Sequence, residues 1–193
     1  MRMKGLVFLL LIGISVLSCE QSIEWNGSDV SGMLPDLEFT LTGTDGQPVN
    51  AEDLRGKPVL LFFGFTNCPD TCPTTLTQLS IARKKLGDDA NKLQIALVSV
   101  DPDRDTPEVM HRYTASFGPW LLGLTGSPEA LESLRKTYGV YAAMESSDSK
   151  GNYNVMHNAV VFAFDSDGRL RVLIKDVSNS DAVVSDLRNL IKL

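Results

Sequence analysis

Val59-Leu60-Leu61-Phe62-Phe63-Gly64-Phe65-Thr66-Asn67-Cys68-Pro69-Asp70-Thr71-Cys72-Pro73 is the stretch on which the fold turns. Its first half, after Pro58, is an unbroken run without charge, the pattern of a strand buried on both faces in a mostly parallel sheet. Two cysteines with three residues between them follow at the strand's carboxyl end, where open α/β sheets place their ligand sites. Pro73 suits the first position of a helix, and Leu76, Leu79, Ala82 and Leu86 continue that helix at its own spacing.

Working outward, Leu93–Val100 reads as a second buried strand. Thr106-Pro107-Glu108 opens another helix bearing Val109, Tyr113 and Phe117, and Asp105 stands three residues before Glu108, a capping-box spacing with the aspartate as cap. Leu121–Thr125 is a short strand or turn. Ser127-Pro128-Glu129 starts a helix carrying Leu131, Leu134 and Tyr138. Ala159–Asp165 and Leu170–Lys175 flank Asp165-Ser166-Asp167-Gly168 as a hairpin, and Ser180–Leu190 closes the chain as a helix. Upstream, Leu37–Thr42 and Gln47–Val49 flank the Asp45-Gly46 turn as a small hairpin. This order predicts an α/β, thioredoxin-like fold: a central mixed sheet flanked by helices, with an N-terminal β-hairpin and an inserted helix.

The 193 residues suffice for one domain and an appendage; 43% are hydrophobic and 22% charged, as in a globular protein. A formal charge of −6 argues against a nucleic-acid partner, which calls for a basic face. The appendage is N-terminal. Arg2 and Lys4 precede the uncharged run Leu6–Leu17, and Val16-Leu17-Ser18-Cys19 ends it, which is the shape of an export signal and too short for a membrane span. Cys19 stands where bacterial lipoproteins carry their lipidated cysteine. Cleavage before it removes Arg2 and Lys4 and takes the formal charge from −6 to −8. The polar stretch Gln21–Gly32 reads as a tether. Lipidation of Cys19 leaves Cys68 and Cys72 as a pair in an oxidising compartment.

Pro73 at the helix start puts Cys72 near the cap, where N–H groups and the helix dipole favour a thiolate, so at least one of the two thiols is expected below its ordinary pKa. Both are expected to be exposed. A purely structural disulfide here closes too short a loop to constrain the unfolded chain. Three intervening residues, against two in a thioredoxin-type pair, let both sulfurs face one metal ion as well as each other, and soft thiolates select Cu(I) or zinc. His157, just ahead of the strand Ala159–Asp165, is the candidate third ligand; the thioredoxin architecture brings that position opposite the cysteine pair. His111, among charged neighbours in a helix, reads as a surface residue. Asp101, at the end of the second strand in Ser99-Val100-Asp101-Pro102-Asp103-Arg104-Asp105-Thr106-Pro107, is either a carboxylate supporting the site or a turn former. Asp103 and Asp105 read as turn and cap residues; Met144 and Met156 are soft sulfur donors, Met156 beside His157, although methionine more commonly fills a core.

The motifs GFTNCPDTCP, SVDPDRDTP, Tyr138–Val140 and MHNAVVFAFDSDGR, in this order, resemble the SCO/SenC family of copper-binding, thioredoxin-like proteins over roughly Pro35–Leu190. The resemblance implies copper held by Cys68, Cys72 and His157, with Asp101 matching the family's acidic residue after the second strand. Asn67 stands where the common family form has histidine, a position outside the ligand set. It further implies a role in assembling the dinuclear copper centre of cytochrome c oxidase subunit II, by metal delivery as a metallochaperone or, alternatively, by reduction of the oxidase cysteines through Cys68 and Cys72. The expected organisation is an export signal over 1–18, a lipidated tether over 19–34, and a thioredoxin-like copper-binding domain over 35–193. The protein is then extracytoplasmic and held to the membrane by its lipid anchor.

Overall fold

The computed structural model describes residues 23–145 and 153–193. The expected signal segment and Cys19 lie outside these residues.

Ten strands and four helices follow one another along the described chain. They are β1 (Ser28–Asp29), β2 (Thr40–Gly43), β3 (Pro48–Asn50), β4 (Val59–Gly64), α1 (Thr71–Leu86), β5 (Gln94–Ser99), α2 (Pro107–Ala115), β6 (Leu121–Thr125), α3 (Pro128–Thr137), β7 (Ala142–Met144), β8 (Val155–His157), β9 (Val161–Phe164), β10 (Leu170–Ile174) and α4 (Ser180–Ile191). Eight strands make one mixed sheet in the order β1-β10-β9-β4-β5-β6-β2-β3, while β7 and β8 form a separate ribbon. The centre is parallel, with Phe62 opposite Leu97 and Gly64 opposite Ser99. β9 runs antiparallel to β4, with Val161 opposite Phe62. The helices flank this sheet, α1 packing with α4, α2 on β6 and α3 on β2. The thioredoxin-like, mixed α/β arrangement read from the sequence is the one observed.

β4 is buried along its whole length, which explains its unbroken apolar sequence: it runs between β9 and β5 inside the sheet, with both faces covered. Phe62, Phe63, Phe65 and Phe164 are among the largest fully buried side chains. α1 buries Leu76, Leu79, Ala82 and Leu86, gathers Arg83, Lys84 and Lys85 in its last turn, and stops at Gly87, whose φ of 65° few other residues tolerate.

Three local features depart from expectation. α1 begins at Thr71 rather than Pro73. The first turn's N–H groups have no intrahelical acceptor, so proline's missing donor costs nothing at the third helical position. α2 is capped by the Thr106 side chain, which accepts from Val109 N, and not by Asp105. Finally, part of the expected tether is structured. Ser28–Asp29 pair with β10, and Asp186, 1% exposed, accepts hydrogen bonds from Asn26 N at 2.8 Å and Gly27 N at 2.9 Å. A polar composition concealed this, because an edge strand held by a buried carboxylate needs no apolar alternation.

Asp186→Ala strands those two donors. It is expected to lower stability by about 1–3 kcal/mol in urea unfolding and to accelerate amide exchange at Asn26 and Gly27 ahead of the sheet centre.

Candidate metal centre

β4 delivers the chain to the site. Gly64 is its last residue, and a Cβ there would lie 2.8 Å from Cys72 Sγ and 3.1 Å from Leu97 Cδ1, so glycine makes the room into which the Cys72 sulfur packs. The chain then crosses from Phe65 to Asp70 and enters α1. Thr66 anchors this crossing. Its hydroxyl donates to Asp105 at 2.6 Å and its backbone N–H points at the same carboxylate. Cys72 lies in the first turn of α1, and its N–H donates to Cys68 Sγ at 3.3 Å.

The third group arrives from the ribbon. β8 ends at His157, and its Nε2 lies 3.4 Å from Cys72 Sγ. Cys68 Sγ, Cys72 Sγ and an imidazole nitrogen of His157 all fall within 4.8 Å of one another. His157 Nδ1 stands 3.1 Å from the carbonyl oxygen of Asn158. A carbonyl only accepts, so this contact places the ring proton on Nδ1 and leaves the Nε2 lone pair facing the sulfurs. Phe62 and Phe65 present their rings edge-to-face to the imidazole, with centroids 6.3 and 5.8 Å away. The sequence-predicted trio is therefore together, on the carboxyl end of the central strands.

The two sulfurs are not equivalent, contrary to the expectation of two exposed thiols. Cys72 is fully buried and Cys68 half-buried. Burial pushes the Cys72 thiol well above its ordinary range, and the neighbouring Cys68 and Asp105 push it the same way. A backbone hydrogen bond with Phe65 opposes this rise without cancelling it, and the Cys72 N–H is directed at the other sulfur. Burial likewise lowers the His157 pKa, keeping the ring neutral. Near neutral pH the site thus holds a protonated Cys72, a neutral imidazole with a free lone pair, and Cys68 at the opening.

Asp101 is buried, but its oxygens are taken by Arg104 Nε and by the Tyr153 hydroxyl, the latter at 2.7 Å. It stands apart from the three-ligand group. Asp105, read as a cap, is fully buried and accepts from Thr66 and from Ser99 Oγ at 2.7 Å, strapping the cysteine loop to β5. Burial raises its pKa while these donors oppose the rise. Only the pairing of β4 with β5 brings Thr66 and Asp105 together, so the sequence alone gave no sign of it. His111 is exposed, as expected. Met144 and Met156 are not core filler: they are 60% and 53% exposed on the ribbon. Among the described residues no helix is long and apolar enough to cross a membrane.

The family model described as SCO1/SenC matches residues 33–192. The mitochondrial protein SCO1 homolog 1 of Arabidopsis thaliana is 40% identical over 125 residues, 64% of this chain and 37% of that protein. Related vertebrate and yeast proteins are also longer, the match spanning 44% to 60% of their length. Among solved structures, apo Sco1 from Thermus thermophilus superposes with a TM-score of 0.77 at 41% identity, covering 86% of this chain and 97% of that one. Copper-bound ScoI from Bradyrhizobium japonicum gives 0.74 at 37% identity, covering 80% and 98%.

Two outcomes are expected. A small alkylating reagent near neutral pH labels Cys68 in the folded protein and Cys72 only after unfolding, as peptide mapping by mass spectrometry reads; equal labelling rates would contradict the burial asymmetry. Gly64→Ala forces Cys72 aside and lowers stability by about 1–3 kcal/mol in denaturant unfolding.

Proposed function

The chain belongs to the SCO1/SenC family, and from that premise we propose that it is a copper metallochaperone whose cargo is held by Cys68, Cys72 and His157. The observation that carries this reading is the convergence of two sulfurs and one imidazole nitrogen within 4.8 Å. Thiolates are soft donors and imidazole a borderline one, a set suited to Cu(I) or zinc; membership of a family with copper-bound relatives favours copper. Three protein ligands leave the ion open on one side, where a closed tetrahedral shell would retain it. Loading displaces the Cys72 proton, so binding releases protons and weakens in acid.

The recipient, by family resemblance, is the dinuclear copper centre of cytochrome c oxidase subunit II. The proposed setting is extracytoplasmic, with Cys19 lipidated after removal of residues 1–18. The acidic surface, with a formal charge of −8 once the signal is removed, suits a partner with a basic patch.

A second reading draws on the inequality of the two sulfurs. Cys68, half-buried and served by the Cys72 N–H, is placed to attack a partner disulfide; the buried Cys72 then displaces the partner's sulfur. The partner leaves as a dithiol and this chain keeps the Cys68–Cys72 disulfide. The two readings are compatible, because a disulfide cannot hold Cu(I) and the redox state of the pair gates loading.

Anaerobic titration of the reduced full-length chain in detergent separates them. One Cu(I) per chain is expected, with stoichiometric binding lost in Cys68→Ala and Cys72→Ala and weakened in His157→Ala. Thiol–disulfide exchange needs both cysteines but survives His157→Ala. Copper uptake indifferent to His157 would sink the three-ligand reading.

A further inference from the structure

The ribbon that carries His157 stands outside the main sheet. Among the described residues β7 and β8 hydrogen-bond as strands only with each other, and an isolated two-stranded ribbon is marginal in water. Its seat against the cysteine loop must come from elsewhere. On the β7 side, Arg135 Nη1 reaches from α3 to the Ala142 carbonyl at 3.2 Å. On the β8 side, Val155 is buried in the core, and the chain just ahead of it is held by a three-residue assembly that the proposed copper site does not itself use.

Arg104, in the turn between β5 and α2, lies over the ring of Tyr153, its guanidinium carbon 3.6 Å from the ring centroid. Its Nη1 donates to the Tyr153 carbonyl at 2.9 Å. Its Nε pairs with Asp101, and the same carboxylate accepts from the Tyr153 hydroxyl. Asp101 is 3% exposed. The guanidinium also lies over the Phe65 ring, 5.8 Å from its centroid, and Phe65 in turn meets the His157 imidazole edge-on. One cation thus grips both the backbone and the side chain of the residue two places ahead of β8, and rests on the phenylalanine against which the imidazole sits. Among the described residues the third guanidinium nitrogen, Arg104 Nη2, is buried and meets no hydrogen-bond partner. Its stack on Tyr153 and its two donated hydrogen bonds place the guanidinium.

We infer that Arg104, braced by Asp101 and clasping Tyr153, is the positioning residue that holds His157 over the cysteine pair. The inference rests on the ligand reading above only for its copper arm. It also gives Asp101 its function: a carboxylate that orients the clamp rather than one that touches the cargo.

The test uses the reduced, metal-free full-length chain in detergent, with the histidine rings labelled for NMR. Exposed His111 is the internal reference. Wild-type protein is expected to give one set of His157 ring signals, well separated from those of His111. Arg104→Met is expected to broaden or move the His157 signals toward the His111 position while the thermal transition persists. Arg104→Lys, which keeps the charge but loses the fork and the stack, follows Arg104→Met. Tyr153→Leu removes the clasp from the other side and gives the same shift, so the inference does not hang on one variant's folding. In a Cu(I) competition assay Arg104→Met weakens binding about tenfold or more and adds nothing further in a His157→Ala background. Unmoved His157 signals in both Arg104→Met and Tyr153→Leu overturn the inference, as do losses that simply add in the double variant. If wild-type protein takes up no Cu(I), the copper reading fails alone, and the ring signals still decide the positioning role.

Discussion

The contact between Cys72 Sγ and His157 Nε2, 3.4 Å long, closes a separation of 85 residues, and the rest of the structure is arranged so that it can be made. It depends on the register of β9 against β4. With Val161 opposite Phe62 and the strands antiparallel, the residues ahead of Val161 travel beside the residues that follow Gly64. The imidazole at 157 therefore meets the loop that begins at Phe65. A slip of one residue would turn every side chain of β9 to the opposite face and carry the ribbon with it. Because both faces of β4 and β9 are buried, such a slip would set Phe162 and Phe164 in the places packed for Val161 and Ala163.

Much of this was legible in the sequence because the relevant signals are strong and local. The run Val59–Phe65 has no charge to hide, the proline-flanked helix starts are explicit, and the spacing of Cys68 and Cys72 states its own chemistry. The ribbon was not legible: Ala142–Met144 and Val155–His157 are three residues each, below the length at which alternation can be recognised. Asp105 was misread for a different reason. A carboxylate three residues before a glutamate at a helix start fits a cap, and nothing local reveals that Thr66 and Ser99 compete for it. The helix cap fell to its neighbour Thr106, which supplies the same oxygen without giving up the longer-range strap. Pairing between distant strands overrode local preference in each case.

The electrostatics follow one rule across the molecule. Asp101, Asp105, Asp165 and Asp186 are almost wholly buried, and each is met by donors: Arg104 and Tyr153; Thr66 and Ser99; Arg169 and Arg171; Asn26 and Gly27. Burial of a carboxylate is tolerable only on those terms. In each case it joins segments distant in the chain or ties down a turn. Asp101 and Asp105 flank the cysteine loop and the ribbon and fix the walls of the site without entering it.

Within those walls the two sulfurs have different environments, and this difference suits the proposed role in metal transfer. A pair of equally exposed thiols would oxidise or exchange metal without control; a pair equally buried would hold its cargo against any partner. Here the fully buried Cys72 and the neutral imidazole form the inner part of the site, both kept uncharged by desolvation. Cys68 stands at the opening with a backbone N–H already directed at its sulfur. An incoming group reaches Cys68 first, whether it is a partner thiolate displacing a metal–sulfur bond or a disulfide to be reduced. In the proposed role, the more accessible Cys68 is the first ligand a partner meets, with the buried Cys72 sulfur and the His157 imidazole behind it.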